Sequence, residues 1–408
     1  MNESQSLKKI FSLPVLVAAL GYMVDMYDLF LFTIVRVPSL TEIGVQQEEM
    51  LGTGIYLLNL QMAGLLIGGI VWGILGDKRG RLSVLFGSIL IYSLANIGNG
   101  FVTTVDQYAM LRFIAGFGLA GELGAGITLV AEILPKALRG YGTTLVALMG
   151  LPGSIAAYFV VNIFDWRTSY IVGGILGLLL LILRVSVLES GMFSSVKNKS
   201  VKRGDLGLLF GNGKRALKYL LSILIGFPIW FVVGILISFS PELAKALSIA
   251  EPIAAGKAVM LAFTGQMFGN LIAGSLSQYL QSRKKVVGLF IVISLVLVFV
   301  YLLVPMSSAN MFYTVCLLLG LFNGYWALFI TVAAELFGTN LRATVATTVP
   351  NFVRGAVIPL TAIFRLMIAP LGTVYSALVT GLIAFTIALV ALRFLEETFS
   401  KDLDYVEE

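Results

Sequence analysis

Apolar residues run through this chain in blocks far longer than the alternation of a strand or the one-sided stripe of a surface helix. A helix that crosses a bilayer needs ~20 mostly apolar residues, and it must bond its own backbone because hydrocarbon offers no partners. Twelve such blocks are present, at about 11–35, 52–75, 82–101, 108–131, 141–163, 168–186, 217–239, 255–276, 286–304, 311–333, 344–367 and 372–394. Most connectors are short, which sets consecutive helices antiparallel. The one long polar connector divides the chain into a six-helix bundle at 1–189, a linker at 190–215 and a second six-helix bundle at 216–408. The first block is too long for a signal-peptide core, lacks an A-x-A cleavage site and carries Asp25 and Asp28, so it reads as a retained span.

Composition removes most other classes. Of 408 residues, 58% are hydrophobic and 12% charged, about half the charged fraction of a soluble domain. The net charge of +6 is spread along the chain, too diffuse for a nucleic-acid footprint. Forty-three glycines suit close helix–helix approach in lipid. Cys316 is the one cysteine, and there is no histidine. His-based zinc sites, Ser-His-Asp hydrolysis and histidine proton relays are therefore excluded together. Gly213-Lys214 is followed by Arg215, and Leu208 stands at the upstream glycine position, so no P-loop forms. No catalytic constellation, metal site or cofactor is expected, and the chain reads as a monomeric, all-α integral membrane protein.

Basic residues orient it. With both termini cytoplasmic, in a bacterial inner membrane, twenty-one of the 28 Lys and Arg lie inside, five outside (Arg36, Arg167, Lys245, Lys257 and Arg365) and two, Arg112 and Arg354, within spans. The halves also repeat. GITLVAEILPKALRGYGTT at 126–144 shadows FITVAAELFGTNLRATVAT at 329–347, which sets Glu132 and Arg139 against Glu335 and Arg342 at an offset of 203. Two pseudo-symmetric bundles around a central site are a recurrent plan for secondary transporters.

Residues 73–81, Gly-Ile-Leu-Gly-Asp-Lys-Arg-Gly-Arg, resemble the G-x-L-[AG]-D-[RK]-x-G-R signature of the major facilitator superfamily. Arg112-Phe-Ile-Ala-Gly116-Phe-Gly118 and Glu132-x-x-Pro135-x-x-x-Arg139-Gly140 are similar to its sugar and metabolite branches. The second-half copy is degenerate, with Gln278, Gln281 and Ser282 at the acidic, glycine and arginine positions. The resemblance implies the twelve-helix fold, transport by alternating access, and cytoplasmic charge clusters that hold one state closed. Asp77, Arg81, Glu132, Arg139, Glu335 and Arg342 are the expected gating residues, with ordinary capping and topology signals as the alternative.

An ionisable residue at mid-bilayer costs at least ~2.5–3.5 kcal/mol on insertion scales, so each one needs a reason. The run Gly21-Tyr-Met-Val-Asp25-Met-Tyr27-Asp28 resembles the D-x-[YF]-D element of proton symporters for phosphate, aromatic acids and other metabolites. In proton-coupled sugar porters an aspartate matching Asp28 pairs with an arginine matching Arg112. The resemblance thus implies Asp28 as the proton site and Arg112 as its switchable partner, with Asp25 beside them. A carboxylate next to a guanidinium keeps its charge, and one parted from it in a low-dielectric interior takes a proton. A static buried salt bridge is the alternative. Glu122 stands as a second proton carrier or polar substrate contact, or else as a partner of Arg112 or Arg354.

Arg354, the mid-span cation left over, has the planar fork that matches a carboxylate or phosphate and points to an anionic substrate. Alternatively it neutralises Asp25 or Glu122 from the opposite bundle. Gln61, Tyr158, Trp230, Gln266, Asn270, Asn323, Trp326 and Asn351 are candidate pocket residues, with Asn59 and Tyr325 near them. Any one amide is more often an interhelical hydrogen bond than a ligand contact. Span seven lacks the paired glutamines of sugar porters, and Gly150-Leu-Pro152-Gly153 only loosely resembles the G-P-x-x-G-G element of drug antiporters. The expectation is a proton-coupled symporter that imports a small organic anion or phosphate by alternating access. The runner-up is a proton-driven efflux antiporter for drugs or metabolites.

Overall fold

The structure is a computed structural model that describes residues 11–79, 81–134, 138–189 and 206–401. Seventeen α-helices follow one another among the described residues, with no strand. The first half comprises α1 (Leu13–Ile43), α2 (Met50–Arg79), α3 (Arg81–Asn99), α4 (Val105–Leu119), α5 (Glu122–Ile133), α6 (Arg139–Ile163) and α7 (Trp166–Glu189). The second comprises α8 (Leu206–Phe210), α9 (Gly213–Leu224), α10 (Phe227–Phe231), α11 (Ser240–Ala246), α12 (Ala255–Tyr279), α13 (Arg283–Leu303), α14 (Ala309–Asn323), α15 (Trp326–Glu335), α16 (Thr339–Gly355) and α17 (Val357–Phe394). Most of the expected linker, residues 190–205, lies outside the described residues.

Local chemistry starts and stops these helices. The side chains of Thr104, Asn212, Ser282 and Ser308 accept from backbone N–H groups in the first turns of α4, α9, α13 and α14, satisfying donors that a helix start leaves orphaned. Gly44, at φ 97°, closes α1 in the left-handed region where only glycine sits freely. Gly372, at φ 72°, turns the chain inside α17 between the eleventh and twelfth spans.

Nine helical runs among the described residues are long and apolar enough to cross a membrane. The last, Thr344–Phe394, holds two spans across the Gly372 turn, and the third and fourth spans are carried by α3 and by the α4–α5 pair. The departure from expectation is that four spans are interrupted by a distorted turn or a π-helical stretch. The fourth divides at Ala120–Gly121 and the tenth at Gly324–Tyr325, which places both glycines at the same 203-residue offset as the sequence repeat. The seventh passes from α10 through a π-helical stretch, Val232–Ile237, and the eleventh is locally distorted at Ala356, which keeps helical φ and ψ.

Both halves are stitched the same way. A Cβ on Gly116 of α4 would run into the Gln61 carbonyl of α2, and one on Gly320 of α14 into the Ala262 carbonyl of α12. Bare Cα positions let the backbones approach closely, which substitutes in lipid for a hydrophobic driving force. Across the halves, α1 and α6 pack on α12, and α2 packs on α16. Large apolar side chains such as Ile163, Leu179, Ile182, Phe268 and Leu366 remain exposed on the outer face, as a lipid-facing wall requires.

Candidate functional site

Three interior acids lie along α1 or against it, and each has an arginine from another helix nearby. Asp25 and Asp28 are completely buried and stand one turn apart on α1. Helix α6 comes so close that a Cβ on Gly153 would strike the Met23 carbonyl. On the other flank, Gly173 of α7 leaves room for the Asp28 Oδ1 atom and the Tyr27 ring. Neither Asp28 oxygen has a hydrogen-bond partner among the described residues. Arg112 of α4 donates through Nη2 to Asn96 Oδ1 at 2.7 Å and lies over the Tyr170 ring, 4.7 Å from its centroid. It acts on Asp28 by its field, with Asn96 beside both, and no direct pair of the kind sequence reasoning expected is formed among the described residues.

Arg354, in the last turn of α16, reaches Asp25 from the other half of the chain. Its Nη1 is 3.9 Å from Asp25 Oδ2, and neither Asp25 oxygen makes a hydrogen bond among the described residues. The guanidinium is 1% exposed. It donates to Asn351 Oδ1 at 3.5 Å, touches Met26 Sδ at 4.0 Å and keeps Nε without a partner. A loosely held, buried guanidinium of this kind is unusual, because orphaned buried donors are costly.

Glu122 has neither of the partners the sequence suggested. It opens α5 and forms a two-pronged pair with Arg184 of α7, Nη1 to Oε2 at 3.1 Å and Nη2 to Oε1. Both are buried, and a Cβ on Gly21 would meet both. The pair ties α1, α5 and α7 into one unit of the first half.

Beside Arg354 is a small cavity of about 20 Å³, lined by Tyr22, Met26, Phe30, Leu151, Ile229, Trp230, Val233, Phe263, Gln266 and Trp326. That is room for about one water molecule, so a larger ligand enters only as these walls move apart. Phe30 stacks on Trp230 at 6.0 Å and tilts against Phe263 at 4.3 Å. Arginine is the one charged side chain in that lining.

Four of the sequence candidates, Trp230, Gln266, Trp326 and Arg354, thus line one cavity. The others are spread along the helix seams. Gln61 donates to the Leu29 carbonyl at 3.3 Å, Asn323 to the Ile229 carbonyl at 3.1 Å, and Asn270 accepts from the Ala327 N–H at 2.9 Å, capping α15. Asn351 donates to the Ala120 carbonyl at 3.1 Å, and Asn59 accepts from Thr361 at 2.9 Å, so both bridge the halves. Tyr325 donates to the Ile225 carbonyl at 3.1 Å. Tyr158 stands opposite Gly256 at the start of α12, away from the cavity.

Towards the Arg36 end, a charge link crosses the halves that sequence reasoning missed. Arg36, 1% exposed, donates from Nη1 and Nη2 to the two Glu242 oxygens at 2.7 and 2.8 Å and to the Ser238 carbonyl at 3.3 Å. Its guanidinium also lies over the Phe239 ring at 4.9 Å. At the opposite end, the side chains of Asp77, Arg81, Glu132 and Arg139 lie outside the described residues. Glu335 accepts from Arg283 at 3.4 Å and from Thr398 at 2.7 Å, and Arg342 donates to the carbonyls of Ala334 and Phe337.

Against known proteins, the Major Facilitator Superfamily matches residues 18–361, and the chain belongs to that superfamily. It is 26% identical over 351 residues to a provisionally named niacin/nicotinamide transporter of Bacillus subtilis (strain 168), covering 83% of this chain and 84% of the relative. It is 24% identical over 324 residues to the 4-hydroxybenzoate transporter of Pseudomonas putida, covering 71% of each. Among solved structures it is similar to the xylose transporter from E. coli in its inward-open conformation, with a TM-score of 0.73, 16% identity, and 97% and 98% of the two chains covered. The chain is a multi-pass membrane transporter of the twelve-helix fold and not an enzyme.

Proposed function

We propose that this transporter imports a small aromatic carboxylate together with a proton, by alternating access. The observation that carries the reading is Arg354: a buried guanidinium with an unpartnered Nε, 3.9 Å from its nearest carboxylate, facing a cavity walled by Tyr22, Phe30, Trp230, Phe263 and Trp326. A guanidinium fork matches a carboxylate, and flat aromatic walls take an aromatic ring by offset or edge contacts. Relatives are named for niacin/nicotinamide and for 4-hydroxybenzoate, which are aromatic molecules. The acids Asp25 and Asp28 supply proton-binding groups in a chain without histidine.

In this reading both termini are cytoplasmic, so the Arg36–Glu242 link closes the external side. The two bundles, 1–189 and 216–408, rock about the cavity. Asp28 and Arg112 both ride on the first bundle, so rigid rocking leaves them together. Asp25 and Arg354 ride on different bundles and feel the motion directly.

Purified protein in proteoliposomes tests this. An inward proton gradient should accumulate labelled benzoate and 4-hydroxybenzoate above protein-free vesicles, and a protonophore should abolish the accumulation. Arg354→Gln should remove uptake and Arg354→Lys weaken it, since an ammonium lacks the planar fork. Gradient-driven expulsion would favour the antiport alternative. Transport of xylose without benzoate would refute the anion site.

A further inference from the structure

We propose that the substrate carboxylate and Asp25 compete for the Arg354 guanidinium, so that anion binding discharges Asp25 and loads it with a proton. This rests on the function proposed above and adds the coupling step to it.

The three interior acid–arginine neighbours differ in kind. Glu122 and Arg184 form a closed two-pronged pair within the first half. Asp28 and Arg112 also belong to one half, and Arg112 is engaged by Asn96 and Tyr170. Asp25 and Arg354 alone among these come from opposite halves, and theirs is the loose contact, 3.9 Å without a hydrogen bond at either carboxylate oxygen. Arg354 is also the member of the set that lines the cavity. Its guanidinium therefore borders the cavity on one side and Asp25 on the other.

Charge then decides the outcome. With one guanidinium and two carboxylates in a low-dielectric interior, the anion that loses the guanidinium is left charged and unpaired, a state that resolves by protonation. The groups that face Asp25 offer no replacement. They are Arg354 on α16, Glu122 on α5, Tyr92 on α3, and Tyr22 and Asp28 on α1 itself. Glu122 and Asp28 repel its charge, and the tyrosine hydroxyls carry none. The balance is simple: the anion enters with one negative charge, one proton is taken from water onto an Asp25 oxygen, and the net charge of the site is unchanged. Departure of the anion returns Arg354 to Asp25 and releases the proton.

Calorimetric titration of the purified full-length transporter with benzoate, in two buffers of different ionisation enthalpy, reads the proton count directly. Wild type should take up about one proton per benzoate bound, and its apparent Kd should rise about tenfold per pH unit where free Asp25 is ionised. Asp25→Asn should bind benzoate with no proton uptake and a pH-independent Kd, tighter than wild type at high pH. Asp25→Glu, which keeps the acid, should restore the uptake. Wild-type binding without proton uptake, or uptake that persists in Asp25→Asn, would overturn the competition while leaving the anion site standing. Absence of any benzoate or 4-hydroxybenzoate binding to wild type would refute the functional reading and this step with it.

Discussion

Replacing Glu242 by glutamine should open the Arg36 end of the transporter. The pair joins α1 to α11 with hydrogen bonds of 2.7 and 2.8 Å, and the side chains are 1% and 15% exposed. Removing one partner of a buried ion pair costs ~3–5 kcal/mol, because the other charge stays buried. Here Arg36 retains the Ser238 carbonyl and the Phe239 ring, and a glutamine oxygen can still accept one bond. A loss of about 2 kcal/mol is therefore reasonable, which shifts the closed-to-open ratio roughly thirtyfold. Thr33 reports on it. It is 3% exposed, and its Oγ1 lies 3.4 Å from Ser238 Oγ across the same seam. In a Thr33→Cys background, an impermeant thiol reagent should label slowly with Glu242 present and far faster with Glu242→Gln. The native Cys316 is fully buried and adds little background. The exchange Arg36→Glu with Glu242→Arg should restore slow labelling. Equal labelling with and without Glu242, tested from both sides of the membrane, would refute the reasoning.

Two further outcomes follow from the same physics. Glu122→Gln should destabilise the detergent-solubilised protein by about 3–5 kcal/mol by stranding Arg184, and Arg184→Gln added to it should recover part of the loss in thermal unfolding; an unchanged melting temperature in the single variant would contradict the pairing. At the C-terminal tail, burial raises the Glu397 pKa, but hydrogen bonds from Ser282 and the backbone N–H groups of Phe399, Arg283 and Lys284 outweigh it and hold the carboxyl below its ordinary range. The stabilisation this gives is complete above the ordinary glutamate pKa and is lost as pH falls through the lower folded value. Hydrogen exchange over residues 395–401 should therefore rise at acid pH relative to α17, whereas Glu397→Gln should show fast exchange throughout.

Length and hydropathy were enough for the spans and the fold, because twenty-residue apolar blocks leave few other structures in lipid. The 203-residue repeat was also visible in Glu132, Arg139, Glu335 and Arg342. What it implied for Gly121 and Gly324, two aligned helix breaks, was not, since glycine in a membrane span serves equally for close packing. The site divided in the same way. Arg354 and Trp230 stood out as a mid-span cation and an aromatic in an apolar run, whereas Tyr22, Phe30 and Phe263 were indistinguishable from lipid-facing or core residues. Arg36 and Arg184 were counted as loop charges near span ends. Their partners, Glu242 and Glu122, lie 206 and 62 residues away in sequence. Such pairings depend on helix rotation and crossing geometry, which periodicity does not encode. The amides illustrate the converse: Gln61, Asn270 and Asn323 are polar and central, yet they spend their hydrogen bonds on backbone groups that the helix breaks and close crossings expose.

The most direct test of the central claim is the position of the ligand in a benzoate complex of the wild-type transporter. The carboxylate should lie within hydrogen-bond distance of the Arg354 guanidinium, with the ring among Phe30, Trp230 and Trp326 and Asp25 displaced from Arg354. Benzoate bound elsewhere, with Asp25 still facing Arg354, would contradict the account.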